Sequence, residues 1–162
     1  MSPKDPRSLA IRLSAWLQEE IAAQHRLDAM LADQERAIRA ADTDAILASG
    51  AQVEAELRAG SARERRRKQL MAELGRTFGA DAKALTVRSI AVRLGAETRE
   101  GEMLLAQRAE LRAVAARVTR RGRRIAGLAR YHAELFGELM NTLLGVEGAR
   151  PLEDGALIDA KV

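Results

Sequence analysis

Very few residues in this 162-residue chain have the types and spacing that catalysis or metal binding requires. Gly122 and Gly127 have the separation of the outer glycines in a phosphate-cradling loop. Leu128 and Ala129 follow, however, where such a loop needs a lysine and a hydroxyl residue. His25 and His132 are the only histidines, and they fall on different predicted helices. His132 stands two residues before Glu134, whereas groups three or four apart share a helix face and can converge on a metal. Cysteine is absent, which excludes thiolate metal sites and disulfides. No serine or threonine has the context of an activated nucleophile. The residues give no catalytic centre, no metal site and no cofactor site, and a non-enzymatic protein is expected.

What remains is chemistry of binding. The net charge is +4, and basic residues concentrate in two places: Arg63 with Arg65, Arg66, Arg67 and Lys68, and Arg117 with Arg120, Arg121, Arg123 and Arg124. Either group could contact phosphate. Acidic residues are nevertheless interspersed through most of the chain. Its four aromatics, Trp16, Phe78, Tyr131 and Phe136, are scattered and offer no platform for base stacking. No nucleic-acid-binding motif is present. A solvated basic face, with no nucleic-acid partner, is the expectation.

The more informative pattern is apolar. From Leu104 onward, Leu111, Ala115, Val118, Gly122, Ile125, Ala129, Phe136, Leu139 and Leu143 follow the alternating three-and-four spacing of a helix seam. At about 100° per residue, Leu104, Leu111, Val114, Ala115 and Val118 fill an arc of about 100°, enough for one neighbouring helix. From Ile125 the arc widens to about 200°, too wide for a single flanking helix. A third helix of the same chain could cover it, or part of it could be a groove for a partner's amphipathic helix. The residues placed in that candidate binding face are Leu128, Tyr131, Leu135, Phe136, Leu139, Met140 and Leu143.

These residues must be positioned by helices. The longest proline-free helical pattern covers 96–144, roughly 70 Å at 1.5 Å per residue, so it must lie in a bundle or coiled coil. Upstream, Asp5 and Pro6 can open a first helix, with Ser8 as a competing cap, running to about Ala41. Its stripe is Leu13, Leu17, Leu27, Leu31 and Ile38, widened by Trp16, Ile21 and Met30. Asp42, Thr43 and Asp44 predict a tight turn into a second helix over roughly 43–74. That helix has Ile46, Val53, Leu57, Met71 and Leu74 on its seam and Gly75 as its C-terminal cap. Its middle is weak, because Gly50, Gly60, Glu64 and Arg67 occupy seam positions, and fraying near Gly60 is expected. Thr86 opens a short helix carrying Val87, Ile90 and Leu94, closed by Gly95. After Gly145 the glycine- and proline-containing segment 146–162 is expected to be a mobile tail.

The fold expected is therefore all-α: an elongated antiparallel helical bundle or coiled coil of three long helices plus a short connecting helix. A single domain over 1–145 is followed by the flexible C-terminal tail. The thin core of Leu, Ile, Val and Ala fits 2% aromatic and 31% charged residues. No segment has the length and hydropathy of a membrane span, and residues 1–8 lack an apolar signal core. A cytoplasmic monomer or weak homodimer is the default. A coiled coil that self-associates through the wide arc, as a scaffold without a client, remains the alternative.

This layout resembles the FlgN family of flagellar export chaperones. The resemblance is carried by the leucine-rich stretch 27–31, by Gln34, Glu35 and Arg36 before Ala41 and Asp42, and by Ile46 and Leu47. Arg65, Arg66 and Arg67 before the stretch 70–74, and Leu157, Ile158, Asp159, Ala160 and Lys161 near the end, complete it. It implies that the chain holds the terminal helical segments of the hook-filament junction proteins FlgK and FlgL unassembled. It also implies delivery to export-gate and ATPase components of the flagellar type III apparatus. Two features depart from the family pattern. Asparagines are common in the family's last helix, where this chain has Arg120, Arg121, Gly122 and Arg123. A tail tyrosine associated with docking to the export gate is absent after Gly145, and Tyr131, inside the helix, is not its equivalent.

Overall fold

The computed structural model describes residues 5–144. Four helices account for nearly all of them: α1 (Pro6–Arg39), α2 (Thr43–Phe78), α3 (Val87–Leu94) and α4 (Arg99–Leu144). The chain is all-α, with no strand among the described residues. The expected tail, 146–162, lies outside them.

Each helix begins where a short polar side chain can satisfy the first free N–H groups. Asp5 accepts from the Arg7 N–H at 3.2 Å, and Pro6 takes the first helical position, where its missing N–H loses no bond. Asp42 accepts from the Ala45 N–H at 3.0 Å. Thr86 and Ser89 cap α3 reciprocally, at 3.0 and 2.9 Å. The long helix starts at Arg99, three residues later than its pattern suggests. The Thr98 hydroxyl accepts from the Gly101 N–H at 3.2 Å and donates to the Gly95 carbonyl at 2.7 Å, so the helix begins after that cap.

Helices α1 and α2 end in the same device, built on different residues. After α1, the Asp42 N–H reaches the Ala37 carbonyl and the Ala41 N–H reaches the Ile38 carbonyl, both at 3.1 Å, with Ala41 in the left-handed region at φ 53°. After α2, the Ala80 N–H reaches the Gly75 carbonyl at 2.9 Å and the Gly79 N–H reaches the Arg76 carbonyl at 3.5 Å, with Gly79 at φ 60°. Both are Schellman closures. The second corrects an expectation: α2 does not stop at Leu74 with Gly75 as its cap, but continues to Phe78 and is closed by Gly79. Gly75 is required for another reason. A Cβ there would lie 2.8 Å from the Ala80 carbonyl oxygen, where the chain folds back over the helix.

The chain clusters into two compact units, Met1–Ile125 and Ala126–Val162, so the division falls within α4. In the first unit, side-chain partners give the helix directions. Between α1 and α2 the sequence separation of partners falls steadily, from 61 for Arg12 and Glu73 to 47 for Glu19 and Arg66 and 30 for Arg26 and Glu56. Falling separation means an antiparallel pair. Between α1 and α4 it stays constant, at 93 for Ser14 with Gln107 and again at 93 for Asp28 with Arg121. These two helices run parallel, and the connection through α3 makes that possible.

The deepest core lies where all four helices meet. Leu9, Leu13, Leu17, Leu74, Ile90 and Leu104 are fully buried there, backed by Trp16, Phe78 and Leu94. Farther along the unit the seam thins to Leu27, Leu31, Ile38 and Val114, as the narrow arc on α4 requires. In the middle of α2 the seam becomes polar rather than apolar. Arg63 is held by Glu20 and Glu56, both at 3.0 Å, and its carbonyl accepts from the Trp16 indole N–H at 3.0 Å. Leu57, expected on the seam, is exposed. Its neighbour Glu56 takes the inward position because two guanidiniums, of Arg26 and Arg63, bind its carboxylate.

Candidate functional site

The second unit, over the described residues 126–144, is the last five or so turns of α4. At about 100° per residue its charged side chains, Arg130, Glu134 and Glu138, are spaced four apart and fall within about 80° of the circumference. Arg130 stands one turn before Glu134. The apolar residues Leu128, Tyr131, Leu135, Phe136, Leu139, Met140 and Leu143 take about 180° on the other side. The helix is thus amphipathic by sequence.

Its apolar side faces solvent. Tyr131, Leu135, Phe136, Leu139 and Leu143 retain between 44% and 70% of their accessible surface, and Leu128 and Met140 are half-buried. All seven residues expected in the binding face therefore lie on one side of one helix, five of them exposed. The Tyr131 ring meets the His132 ring edge-on, with centroids 6.1 Å apart. His132 sits within the apolar arc. Covering a half-exposed leucine or phenylalanine contributes roughly 1 kcal/mol, so the five exposed side chains represent about 5 kcal/mol before a partner's own apolar area is counted. Such a face can hold an amphipathic helix.

The two basic groups are placed differently from the solvated face that charge alone suggests. In the first, Arg63 binds Glu20 and Glu56, Arg66 binds Glu19 at 3.0 Å, and Arg67 binds Glu64 at 2.7 Å. These carboxylates neutralise most of the run. In the second, Arg121 donates from Nε to Asp28 at 2.9 Å and from Nη1 to Glu35 at 3.2 Å, bridging α4 to α1. Arg117 adds a contact to Asp28 at 3.5 Å. Burial alone would push the Asp28 carboxyl up. The hydrogen bonds and charges of Arg121 and Arg117 outweigh it and hold the group below the ordinary aspartate value. The partner signal was present in the sequence as Asp28 and Glu35, seven apart on α1, but only the parallel α1 and α4 pairing brings them to arginine.

The remaining candidates are structural. Gly122 and Gly127 are both helical, with open space beside them, and form no loop that could cradle a phosphate. His25 sits between Glu110, at 3.6 Å, and Arg117, at 3.5 Å, on the α1 and α4 surface. No helix among the described residues is long and apolar enough to cross a membrane.

The family model described as FlgN protein matches residues 1–151. No curated protein and no solved structure matches the chain.

Proposed function

This chain belongs to the FlgN family of flagellar export chaperones, and from that premise we propose that its α4 face, at Leu128, Tyr131, Leu135, Phe136, Leu139, Met140 and Leu143, holds the terminal helical segments of FlgK and FlgL. An export client's terminal segment is amphipathic and unstructured until it assembles. A chaperone must therefore offer a substitute for the neighbouring helix and so prevent self-association. The client is then released to components of the export apparatus. The observation that carries the reading is the exposure of Tyr131, Leu135, Phe136, Leu139 and Leu143 on one side of a helix with only three charges among its last 19 described residues.

The test is calorimetric titration of the full chain with a peptide of the C-terminal helix of FlgK from the same organism, at two salt concentrations. One-to-one binding at micromolar affinity or better, a negative heat-capacity change and weak salt dependence are expected, because apolar burial drives the association. Leu135→Glu combined with Leu139→Glu removes two anchors and places charge in the contact. Affinity should fall about 100-fold or more, at about 1.4 kcal/mol per factor of ten, while helicity by circular dichroism persists. Unchanged affinity in the double variant removes the face from the proposal and leaves only the family-level role. Absence of binding, in a protein whose solution mass shows a stable dimer that the double variant dissolves, supports the self-associating scaffold instead.

A further inference from the structure

The first unit, which does not include the apolar face, carries a charged cavity. The cavity, of about 390 Å³, lies between α1 and α4 and is lined by Ala32, Glu35, Arg36, Arg39, Arg121 and Arg124. Glu35 is the anchor of its wall. Only 8% of its side chain is exposed, and its carboxylate accepts from Arg39 at 2.8 Å and Arg121 at 3.2 Å, with Arg124 at 3.9 Å. Arg36 is tied to Asp33, and Arg117 and Arg121 to Asp28. Including those neighbours, five guanidiniums face three carboxylates.

A guanidinium has five N–H donors, whereas Arg36 and Arg39 each donate one hydrogen bond here and Arg121 donates two. Donor capacity and positive charge are both in excess, and one buried carboxylate holds three of the cations in place. That arrangement lowers the ordering cost of binding an anion. The cations are all arginine, the residue whose planar fork matches a carboxylate in two parallel hydrogen bonds. On α4, Arg117, Arg121 and Arg124 are spaced four and three apart, covering roughly 10 Å of helix. Carboxylates one helical turn apart, or on alternate residues of an extended strand, have a comparable spacing.

We propose that this cavity docks an acidic segment of a protein partner, two or three carboxylates of which pair with Arg36, Arg39, Arg121 and Arg124. A phosphate-bearing ligand fits less well. Its dianionic groups would stand beside Glu35, and a nucleic acid needs an extended cationic track, whereas Arg63, Arg66 and Arg67 of α2 are already neutralised by Glu19, Glu20, Glu56 and Glu64. The site is independent of the apolar α4 face.

The experiment uses the full chain and a fluorescein-labelled 12-residue peptide, three repeats of Glu-Ala-Ala-Asp, read by anisotropy at 50 and 200 mM NaCl. Inorganic phosphate and a 20-nucleotide single-stranded DNA are tested as competitors. Arg36→Gln with Arg124→Gln leaves Arg39 and Arg121 on Glu35, and should weaken peptide binding at least tenfold. Arg65→Gln with Arg112→Gln makes the same change in net charge elsewhere and should change it less than twofold. Should the first pair of substitutions disturb the circular dichroism spectrum, Arg124→Lys keeps the charge but removes the fork, and a loss of threefold or more is expected. The proposal is overturned by no peptide binding, by equal losses in the two double variants, by no loss in Arg124→Lys where that variant is needed, or by phosphate or DNA displacing the peptide at lower concentration than a second acidic peptide does.

Discussion

Ala41→Gly should stabilise the protein, and Gly79→Ala should destabilise it by a similar amount. Both residues occupy the left-handed position of the same closure, with φ of 53° and 60°. Left-handed backbone costs an L-residue roughly 1–2 kcal/mol through contact of its Cβ with the following carbonyl, and glycine escapes that cost. Glycine also loses more freedom on folding, by roughly 0.5–1 kcal/mol relative to alanine. The difference leaves a net gain of about 0.5–1 kcal/mol for Ala41→Gly. No packing correction is needed, because Ala41 is exposed and a Cβ on Gly79 would meet nothing within 4 Å. For a cooperative unit of this size, 1 kcal/mol corresponds to roughly 3 °C in Tm. Urea denaturation and thermal melts of the two variants and the double variant provide the assay, and additivity is expected because the turns are at opposite ends of α2. If Ala41→Gly lowers stability while Gly79→Ala also lowers it, the turn after α1 does not hold the left-handed geometry in solution, and the argument fails.

Asp28→Asn should cost about 1.5 kcal/mol at pH 7, the usual scale for a hydrogen bond to a charged group. Its effect should also be pH-dependent. Because the Asp28 carboxyl is held below its ordinary value, its contribution is complete above the unfolded value of about 3.9 and is lost as pH falls through the lower folded value. The stability gap between wild type and variant, measured by urea midpoints, should therefore shrink from pH 7 to pH 3; a constant gap refutes the assignment. Gly101→Ala should destabilise the α3 to α4 junction by roughly 2–3 kcal/mol, since a Cβ there would lie 2.3 Å from the Gly95 carbonyl oxygen. Gly122→Ala, with open space around it, should instead stabilise α4 by about 1 kcal/mol through helix propensity. Thermal melts that raise the Tm of both variants would show that propensity rather than close approach controls both sites, and a fall in Gly122→Ala would refute the propensity argument there.

Local chemistry was legible in the linear sequence. Asp5, Asp42 and Thr86 mark helix starts because their side chains satisfy N–H groups within three residues, and Gly95 marks an end because glycine readily takes the positive φ, 94°, at which α3 closes. The alternating three-and-four spacing of Leu104, Leu111, Val114 and Val118 identified the inward stripe of α4, buried at Leu104 and Val114 and half-buried at Leu111 and Val118, and the widening beyond Ile125 identified the stripe that is left exposed. Periodicity alone could not choose between a covering helix and solvent, since an apolar arc reads the same either way. Exposure of Leu135, Phe136 and Leu139 is a property of the folded chain.

Only tertiary structure decided which partners the polar residues take. Gly75 looked like a cap by spacing, but the fold-back of Ala80 makes it a point of close approach and moves the cap to Gly79. Leu57 and Glu56 differ by one position on α2, and Arg26 of α1, together with Arg63 two turns along α2, determines that the charged residue turns inward. The arginines of α4 read as a solvated face until the parallel register with α1 sets Arg121 between Asp28 and Glu35. Helix starts and periodicity depend on neighbours within about a turn, and so are determined by sequence; the ion pairs between helices depend on residues up to 93 positions apart, and so are determined by how the helices pack.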